Sequence, residues 1–404
     1  MSETIGIMLY DLRASGVTRN AIRIGLAARV AGLDARLWPV RPQGELLDMV
    51  PAELPVEPIR PDSTERQRDL DCVLSLWPMR IALAARRPAI LFSAGNQMHV
   101  HVARVAGPVG GRPFRLIGRA SNAIASAGSA WRAPLRPLER FQYAAMDRIV
   151  AVSEELGYGL AERLDQSGSK VRVIPNGADV DAIRTRALAP IDHPFLRADG
   201  VSRLVAVGRA SRQKNFEGLI RAFAIARAAR PMRLLILAPG SPAARERLRC
   251  LAAELGVADD VAVEAFAANP FAFMARADLF VLSSLWEGAS NVLLEALACG
   301  CPVVATRAPT GVAEVMMDGA LGPLVSPGDD PALAAAILAR LAQPRADAAL
   351  IARARQFDLG RTLAAYVDLL DSELAVVRRE RADRSSMCGF AEARTSQMEG
   401  SGVA

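Results

Sequence analysis

Lysine and histidine are almost absent from this chain of 404 residues. Of its 49 basic residues only Lys170 and Lys214 are lysine, and every other cation is arginine. His99, His101 and His193 are the only histidines, which excludes a His-rich metal centre and any H-E-x-x-H motif. Cysteine is sparse and odd in number (Cys72, Cys250, Cys299, Cys301 and Cys388), so a disulfide framework is not expected and a reducing compartment is. Cys299-Gly-Cys301 has no second Cys or His pair to complete a zinc site. G-x-S-x-G and G-x-x-x-x-G-K-[ST] do not occur, against a serine hydrolase and a P-loop enzyme. No G-x-G-x-x-G follows the first apolar run, against a nicotinamide dehydrogenase. No apolar stretch reaches the roughly 18 residues of a spanning helix. The opening MSETIGIMLYDLR has no basic region or cleavage site, so no secretory signal is expected.

What remains is a globular composition, 51% hydrophobic and 23% charged, with enough apolar surface to offset the entropy of ordering. A net charge of +6 is compatible with a phosphorylated substrate, a nucleic acid or an anionic membrane, and does not choose among them. The length suits two or three domains at roughly 100–200 residues each.

Short apolar runs alternate with longer helical patterns. Candidate strands are Ile5–Tyr10, Ala35–Val40, Cys72–Leu76, Ile90–Ser93, Arg115–Gly118, Arg148–Val152 and Val171–Ile174. The rhythm then repeats with Arg203–Val207, Arg233–Ala238, Val261–Val263, Leu279–Ser283 and Val303–Thr306. Strands that are apolar throughout, alternating with helices, imply parallel sheets covered on both faces. The expected fold is therefore α/β, two successive Rossmann-like doubly wound domains facing a cleft. Pro190, Pro194 and Gly200 put the boundary within Arg184–Gly200, giving domains over 1–195 and 196–355. Gly107–Trp131 reads as a flexible loop and 384–404 as a disordered tail. Asp69-Leu-Asp71 and Asp179-Val-Asp181 read as solvated loop carboxylates.

The most informative stretch is LFVLSSLWEGASNVLLEALACGCPVVAT, Leu279–Thr306, whose only charges are Glu287 and Glu295. A buried strand should end near Ser283 or Ser284. A helix should start at Ser290 or Asn291, both good caps, and stop at Gly300 and Pro302. Glu287 then sits in the strand-to-helix loop and Glu295 one turn into the helix, about 6 Å along its axis from Asn291. Carboxylates only accept hydrogen bonds, which suits sugar hydroxyls. The free N–H groups from Gly288 through Ala289, Ser290 and Asn291 to Val292 suit phosphate. A second strand-to-helix turn, GRASRQKN from Gly208 to Asn215, offers Arg209 as a bidentate clamp and Lys214 as a point charge.

These segments, with VAVSEEL (150–156), VIPNGAD (173–179), VGRASRQKN (207–215), the run 268–306 and TGVAEV (310–315), resemble glycosyltransferase family 4, the retaining nucleotide-sugar transferases of the GT-B fold. The resemblance covers about Arg148–Leu341 well and the first 145 residues loosely. It implies transfer of a sugar from a UDP- or GDP-sugar to a glycan or lipid-linked acceptor, in cell-surface polysaccharide or lipopolysaccharide biosynthesis. Arg209 and Lys214 would neutralise the donor diphosphate, Glu287 would contact the transferred sugar and Glu295 the ribose. Gly208, Pro239, Gly288–Val292 and Gly16 complete the implied donor set, and no metal or cofactor is called for. The last helix, about 360–378, would pack back on the N-terminal domain. The family often has Gly-Gly after the first strand where this chain has Ser15-Gly16, and Gly where it has Ala265. Its N-terminal histidines have no secure match here.

Weaker signals lie in the first half. His99, Arg119 and Asn122 follow strands and are candidates for the acceptor side. Arg132, Arg136 and Arg140 recur every four residues among Trp131, Leu135, Leu138 and Phe141, a pattern that can rest on an anionic membrane. The expected setting is cytoplasmic, peripheral to the inner face of the plasma membrane, with no nucleic-acid partner. Two alternatives stay open: a sugar-binding protein of the same fold without chemistry, and a sugar-nucleotide epimerase.

Overall fold

The computed structural model describes residues 3–61, 68–122, 136–164, 170–197, 200–265 and 267–400. The first half runs β1 (Ile5–Leu9), α1 (Gly16–Val30), β2 (Ala35–Pro39), α2 (Arg68–Leu74), α3 (Leu76–Arg86), β3 (Ile90–Ser93), α4 (Asn96–Ala106), β4 (Arg115–Ala120), α5 (Arg136–Ala144), β5 (Arg148–Ala151), α6 (Glu154–Arg163), β6 (Val171–Val173) and α7 (Val180–Ala187). The second half runs β7 (Ser202–Val207), α8 (Phe216–Ala229), β8 (Met232–Leu237), α9 (Pro242–Glu254), β9 (Val261–Glu264), α10 (Pro270–Arg276), β10 (Leu279–Leu282), α11 (Asn291–Ala298), β11 (Val303–Thr306), α12 (Val312–Val315), β12 (Leu324–Val325), α13 (Asp330–Leu341), α14 (Asp347–Gln356) and α15 (Leu359–Gly400).

The strands form two parallel six-stranded sheets, ordered β2-β1-β3-β4-β5-β6 and β12-β11-β10-β7-β8-β9. The second sheet shows why its strands read as unbroken apolar runs. Successive side chains point to opposite faces, and both faces are covered. Val205, Leu235 and Phe280 face one core layer with α7, α10, α11 and α14. Leu204, Ala206, Leu234 and Val281 face the other, with α8, α9 and α13.

Packing divides the chain into two units. One comprises Met1–Arg119, Leu135–Ile149 and Leu363–Ala404; the other Ala120–Pro134 and Val150–Thr362. The division thus falls within β5, upstream of the expected boundary near 195. The reason is apolar: Val180, Ile183 and Ala187 of α7, with Leu196, belong to the same buried layer as α10 and α11.

In the first unit α15 presents Tyr366, Leu369, Leu370, Leu374 and Val377 as a buried stripe at helical spacing. Glu373, within that stripe, binds Arg115 at 2.8 Å and Arg148 at 2.6 Å, and the Tyr366 hydroxyl accepts from Arg119 Nε at 3.0 Å. The backbone of α15 continues helical to Gly400, where a tail without structure is expected from 384. That stretch has no proline to stop a helix. Within Gly107–Trp131, read as a loop, β4 occupies Arg115–Ala120, and residues 123–131 lie outside the described residues.

Cys72–Leu76 is not a strand; it spans the end of α2 and the start of α3. Its burial follows helical spacing, with Cys72, Ser75, Met79 and Leu83 inside and Val73, Leu74, Trp77 and Ile81 outside. Asp71 is not solvated either. It is fully buried, 2.6 Å from Arg60 and 3.5 Å from Arg41, and accepts from the Tyr10 hydroxyl at 3.0 Å. Asp179 caps α7 through the Ala182 N–H, and Asp181 pairs with Arg355.

Candidate functional site

In the second sheet β7 lies between β10 and β8. The chain therefore leaves β7 toward one edge and β10 toward the other, and their carboxyl ends flank the point where the strand order reverses. Open α/β sheets bind ligands in the crevice outside that point. The two stretches singled out from the sequence, Gly208–Asn215 and Ser283–Ser290, are the loops that leave these two ends.

The loops are sewn together. Ser283 Oγ donates to the Lys214 carbonyl at 2.7 Å, Leu285 N donates to the Gln213 carbonyl at 2.8 Å, and Gln213 Nε2 donates to the Trp286 carbonyl at 2.9 Å. Lys214 Nζ then reaches Glu287 Oε1 at 2.6 Å, and Ser284 Oγ donates to the same oxygen at 2.6 Å. Glu287 is 5% exposed. A carboxylate so buried needs a partner, and the lysine supplies it. Among the described residues Glu287 Oε2 accepts no hydrogen bond. The lysine stem runs close over Gly208, where a Cβ would stand 3.0–3.2 Å from the Lys214 methylenes.

A third loop, after β11, clamps the backbone of Glu287. Glu287 N donates to the Pro309 carbonyl at 2.6 Å, and Thr310 N returns a bond to the Glu287 carbonyl at 2.9 Å. Thr310 Oγ1 adds bonds to the Glu287 and Gly288 carbonyls at 3.3 and 3.2 Å. Gly288 is required by close approach, since a Cβ would lie 2.0 Å from the Ser121 carbonyl oxygen.

The helix start is placed as the sequence implies. Ser290 occupies the N-cap of α11, yet its hydroxyl makes no capping bond. It is 4% exposed, and among the described residues it has no hydrogen-bond partner. Asn176 steadies this turn, donating to the Ala289 carbonyl at 3.1 Å and to Asn291 Oδ1 at 2.7 Å. Glu295 lies half-buried one turn along α11, with Ala289, Asn291 and Val292 partly exposed before it. Arg209 is exposed on the β7 loop, and Pro239 is half-buried beyond β8. Ser284, Gln213, Asn176 and Thr310 were given no role at the site from the sequence, although all four lie inside segments that carry the family resemblance.

The acceptor-side candidates divide. The Asn122 backbone pairs with Gly288 as an isolated antiparallel bridge. His99 is buried completely, its Nδ1 2.7 Å from Ser93 Oγ and its Nε2 3.1 Å from the Arg119 carbonyl. Burial pushes its pKa down to about 3, so it is a neutral core residue rather than an acceptor contact. Arg119, 2% exposed, is likewise spent inside the first unit on Tyr366 and the Ala94 carbonyl. Gly16 is exposed at the first position of α1, in the unit that does not hold Lys214 and Glu287. The Arg132 position and the side chain of Arg136 lie outside the described residues; Arg140 is exposed on α5.

Comparison with known proteins places this geometry. The family described as Glycosyltransferase Family 4 matches residues 15–182, and that described as Glycosyl transferases group 1 matches 201–343. An N-acetylgalactosamine-N,N'-diacetylbacillosaminyl-diphospho-undecaprenol 4-alpha-N-acetylgalactosaminyltransferase of Campylobacter jejuni is 33% identical over 183 residues, 45% of this chain and 47% of that protein. The lipopolysaccharide core biosynthesis glycosyltransferase LpsE of Rhizobium meliloti is 35% identical over 185 residues, 44% of this chain and 50% of that one. The chain thus spans about half the length of the curated relatives it matches. Among solved structures, HepE of Anabaena in complex with UDP and glucose superposes with a TM-score of 0.72 at 18% identity, over 92% of this chain and 100% of that one. WaaG, a glycosyltransferase involved in lipopolysaccharide biosynthesis, gives 0.69 at 18%, over 91% and 99%. The fold is shared with these glycosyltransferase structures. With both domains matched in order, the chain belongs to the glycosyltransferases built from a family 4 domain followed by a group 1 domain.

Proposed function

We propose that this protein is a retaining glycosyltransferase that moves a hexose from a nucleotide-diphosphate donor to a glycan or lipid-linked acceptor, in the building of cell-surface polysaccharide or lipopolysaccharide. The observation that carries the reading is the Lys214–Glu287 pair, held at the strand-order reversal of the second sheet. The neighbour solved with UDP and glucose supports the donor class, and the relative named for a diphospho-undecaprenol substrate supports a lipid-linked acceptor.

The chemistry asks for a place where negative charge can grow. As the bond from the anomeric carbon to the β-phosphate oxygen breaks, its electron pair leaves on the diphosphate and the sugar becomes oxocarbenium-like. Arg209 and Lys214 are the cations assigned to that charge, with the free N–H groups and the unsatisfied Ser290 hydroxyl at the start of α11. Glu287, with Oε1 taken by Lys214 and Ser284, has Oε2 left to accept from a hydroxyl of the transferred sugar. Glu295 is assigned to the ribose. The acceptor hydroxyl bonds to the anomeric carbon on the face the phosphate leaves, and its proton passes to the departing phosphate oxygen. No protein base is then required.

The test is release of nucleotide from a panel of UDP- and GDP-sugars with lipid-linked and glycan acceptors, after thermal-shift screening for the donor. A donor that shifts the melting temperature and is turned over by the wild type, but not by folded Lys214→Ala, is the expected result. Turnover by that variant at the wild-type rate would sink the assignment.

A lipid-linked acceptor also calls for a route to the bilayer. No helix among the described residues is long and apolar enough to cross a membrane. The segment proposed to meet an anionic membrane carries Arg132, Arg136 and Arg140 in sequence; of its described side chains Arg140, Leu138 and Phe141 are exposed. The α2–α3 face adds Leu70, Val73, Trp77 and Ile81, each at least half exposed, with Arg80 between them. Cosedimentation with vesicles containing phosphatidylglycerol, lost on removing that lipid, is expected; equal absence of binding to both vesicles would refute it.

A further inference from the structure

A basic pocket opens at the end of the same sheet opposite the Lys214–Glu287 loops. Ser202 begins β7, Asp278 precedes β10 and Pro302 precedes β11, so the pocket lies at the amino ends of these strands. Six residues of β7 put it about 20 Å from the carboxyl ends where Lys214 and Glu287 meet. Its volume is about 370 Å³. Four arginines line it, Arg203, Arg230, Arg340 and Arg345, against the single carboxylate of Asp278.

Two of the four have structural duties. Arg203 grips Asp278 with Nε at 3.0 Å and Nη2 at 2.9 Å. Arg345 ties the Ala277 and Gly300 carbonyls together at 3.0 and 3.2 Å and pairs with Asp347 at 3.0 Å. The other two do not have enough to do. Arg340 is 5% exposed and uses only Nη1, toward the Gln343 and Pro344 carbonyls at 3.5 and 3.2 Å. Its Nε and Nη2 make no hydrogen bond among the described residues, and neither is among the fully inaccessible unpaired atoms. Arg230 is exposed at the end of α8 with no ion pair or hydrogen bond among the described residues. Burial and the neighbouring Arg345 both work against the charge of Arg340, and the opposing pull of Asp347 is shared with Arg345. A buried guanidinium with unmatched donors, repelled by a second one, is costly by itself. A dianion with several acceptor oxygens would satisfy it.

We propose that this pocket binds the phosphate group of a small molecule, as free phosphate or as a sugar phosphate, at a site separate from the donor's. Arg340 and Arg230 supply the free N–H donors, and the space left beyond one phosphate is enough for a hexose. The inference does not depend on the transfer reaction.

The experiment is isothermal titration of the full chain at low ionic strength, with inorganic phosphate in one arm and glucose 6-phosphate in the other. One-to-one binding is expected in at least one arm, and tighter binding of the ester would identify the sugar phosphate as the occupant. Arg230→Glu, at an exposed position, should weaken binding by at least about tenfold, the loss of one charge-assisted contact. Arg340→Gln, checked for folding by circular dichroism, should do the same, while Lys214→Ala should leave binding unchanged. Absence of binding in both arms, wild-type binding by Arg230→Glu, or loss of binding in Lys214→Ala would each overturn the proposal.

Discussion

Replacing Lys214 by alanine strands a carboxylate. Glu287 would keep one hydrogen bond, from Ser284, inside a loop whose backbone is fixed on both sides by Pro309 and Thr310. Removing one member of a buried pair costs about 3–5 kcal/mol; the lysine side chain keeps 17% exposure, so the low end, about 3 kcal/mol, is expected. Glu287→Gln should cost less, about 1 kcal/mol, because the amide still accepts from both donors. The double variant Lys214→Met, Glu287→Leu removes both charges and should recover most of the stability lost by Lys214→Ala. Activity should not follow stability. Loss of a charge-stabilising contact lowers turnover by on the order of 10²–10³, and the double variant should be at least as inactive as the single one. Guanidinium denaturation at pH 7 and nucleotide release on the same samples separate the two effects. A double variant that regains transfer along with stability would mean that the pair only holds the loops together. A Lys214→Ala protein as stable as the wild type would mean that the pair is not formed in solution.

Ser290→Ala removes a buried hydroxyl with no partner among the described residues, so stability should hold or rise by about 1 kcal/mol while donor KM rises; an unchanged KM would refute a phosphate contact. Gly288→Ala drives a methyl into the Ser121 carbonyl and should abolish transfer while leaving secondary structure by circular dichroism near wild type. Glu373→Gln should lower stability by about 1–2 kcal/mol by weakening the charge-assisted contacts to Arg115 and Arg148, read by urea denaturation. His99 is neutral in the fold, with a pKa near 3, and takes a proton near pH 6.5 when unfolded. The unfolded state therefore binds more protons as pH falls from 6.5 toward 3. At pH 5 this single group should cost about 2 kcal/mol relative to pH 7, a loss that His99→Gln lacks.

The strands were legible because a parallel sheet covered on both faces leaves continuous apolar runs, and Ile90–Ser93 and Val303–Thr306 begin and end where the sequence puts them. Cys72–Leu76 misled because a five-residue apolar run fits a helix turn as well as a strand, and only the burial of Met79 and Leu83 further along settles it. β12, two residues long, carries too little pattern to see. At the site, Glu287 stood out as one of only two charges in an apolar stretch, and Lys214 as one of two lysines. Their direct pairing across 73 positions is a product of strand order, which no local pattern encodes. Ser284, on the same loop as Glu287, and Thr310, on the loop after β11, act through a single hydroxyl each, and a lone hydroxyl residue carries no local pattern that marks its role. His99 looked available because it follows a strand; its burial is set by the β3, α4 and β4 packing around it.

The route of the chain into α15 bears on how the protein is made. Arg115, Arg119 and Arg148 emerge from the ribosome more than two hundred residues before Tyr366 and Glu373, the groups that bind them. Until then the first sheet lacks the Glu373 carboxylate and Tyr366 hydroxyl that these three cations bind, and the apolar stripe of α15 that packs on it. Translation at about 5–20 residues per second makes that wait roughly ten to fifty seconds. The later unit, contiguous from 150 to 362 apart from one short segment, is complete first. The order of maturation thus runs against the order of synthesis, and a nascent chain released before residue 373 would have a finished second half and an unfinished first.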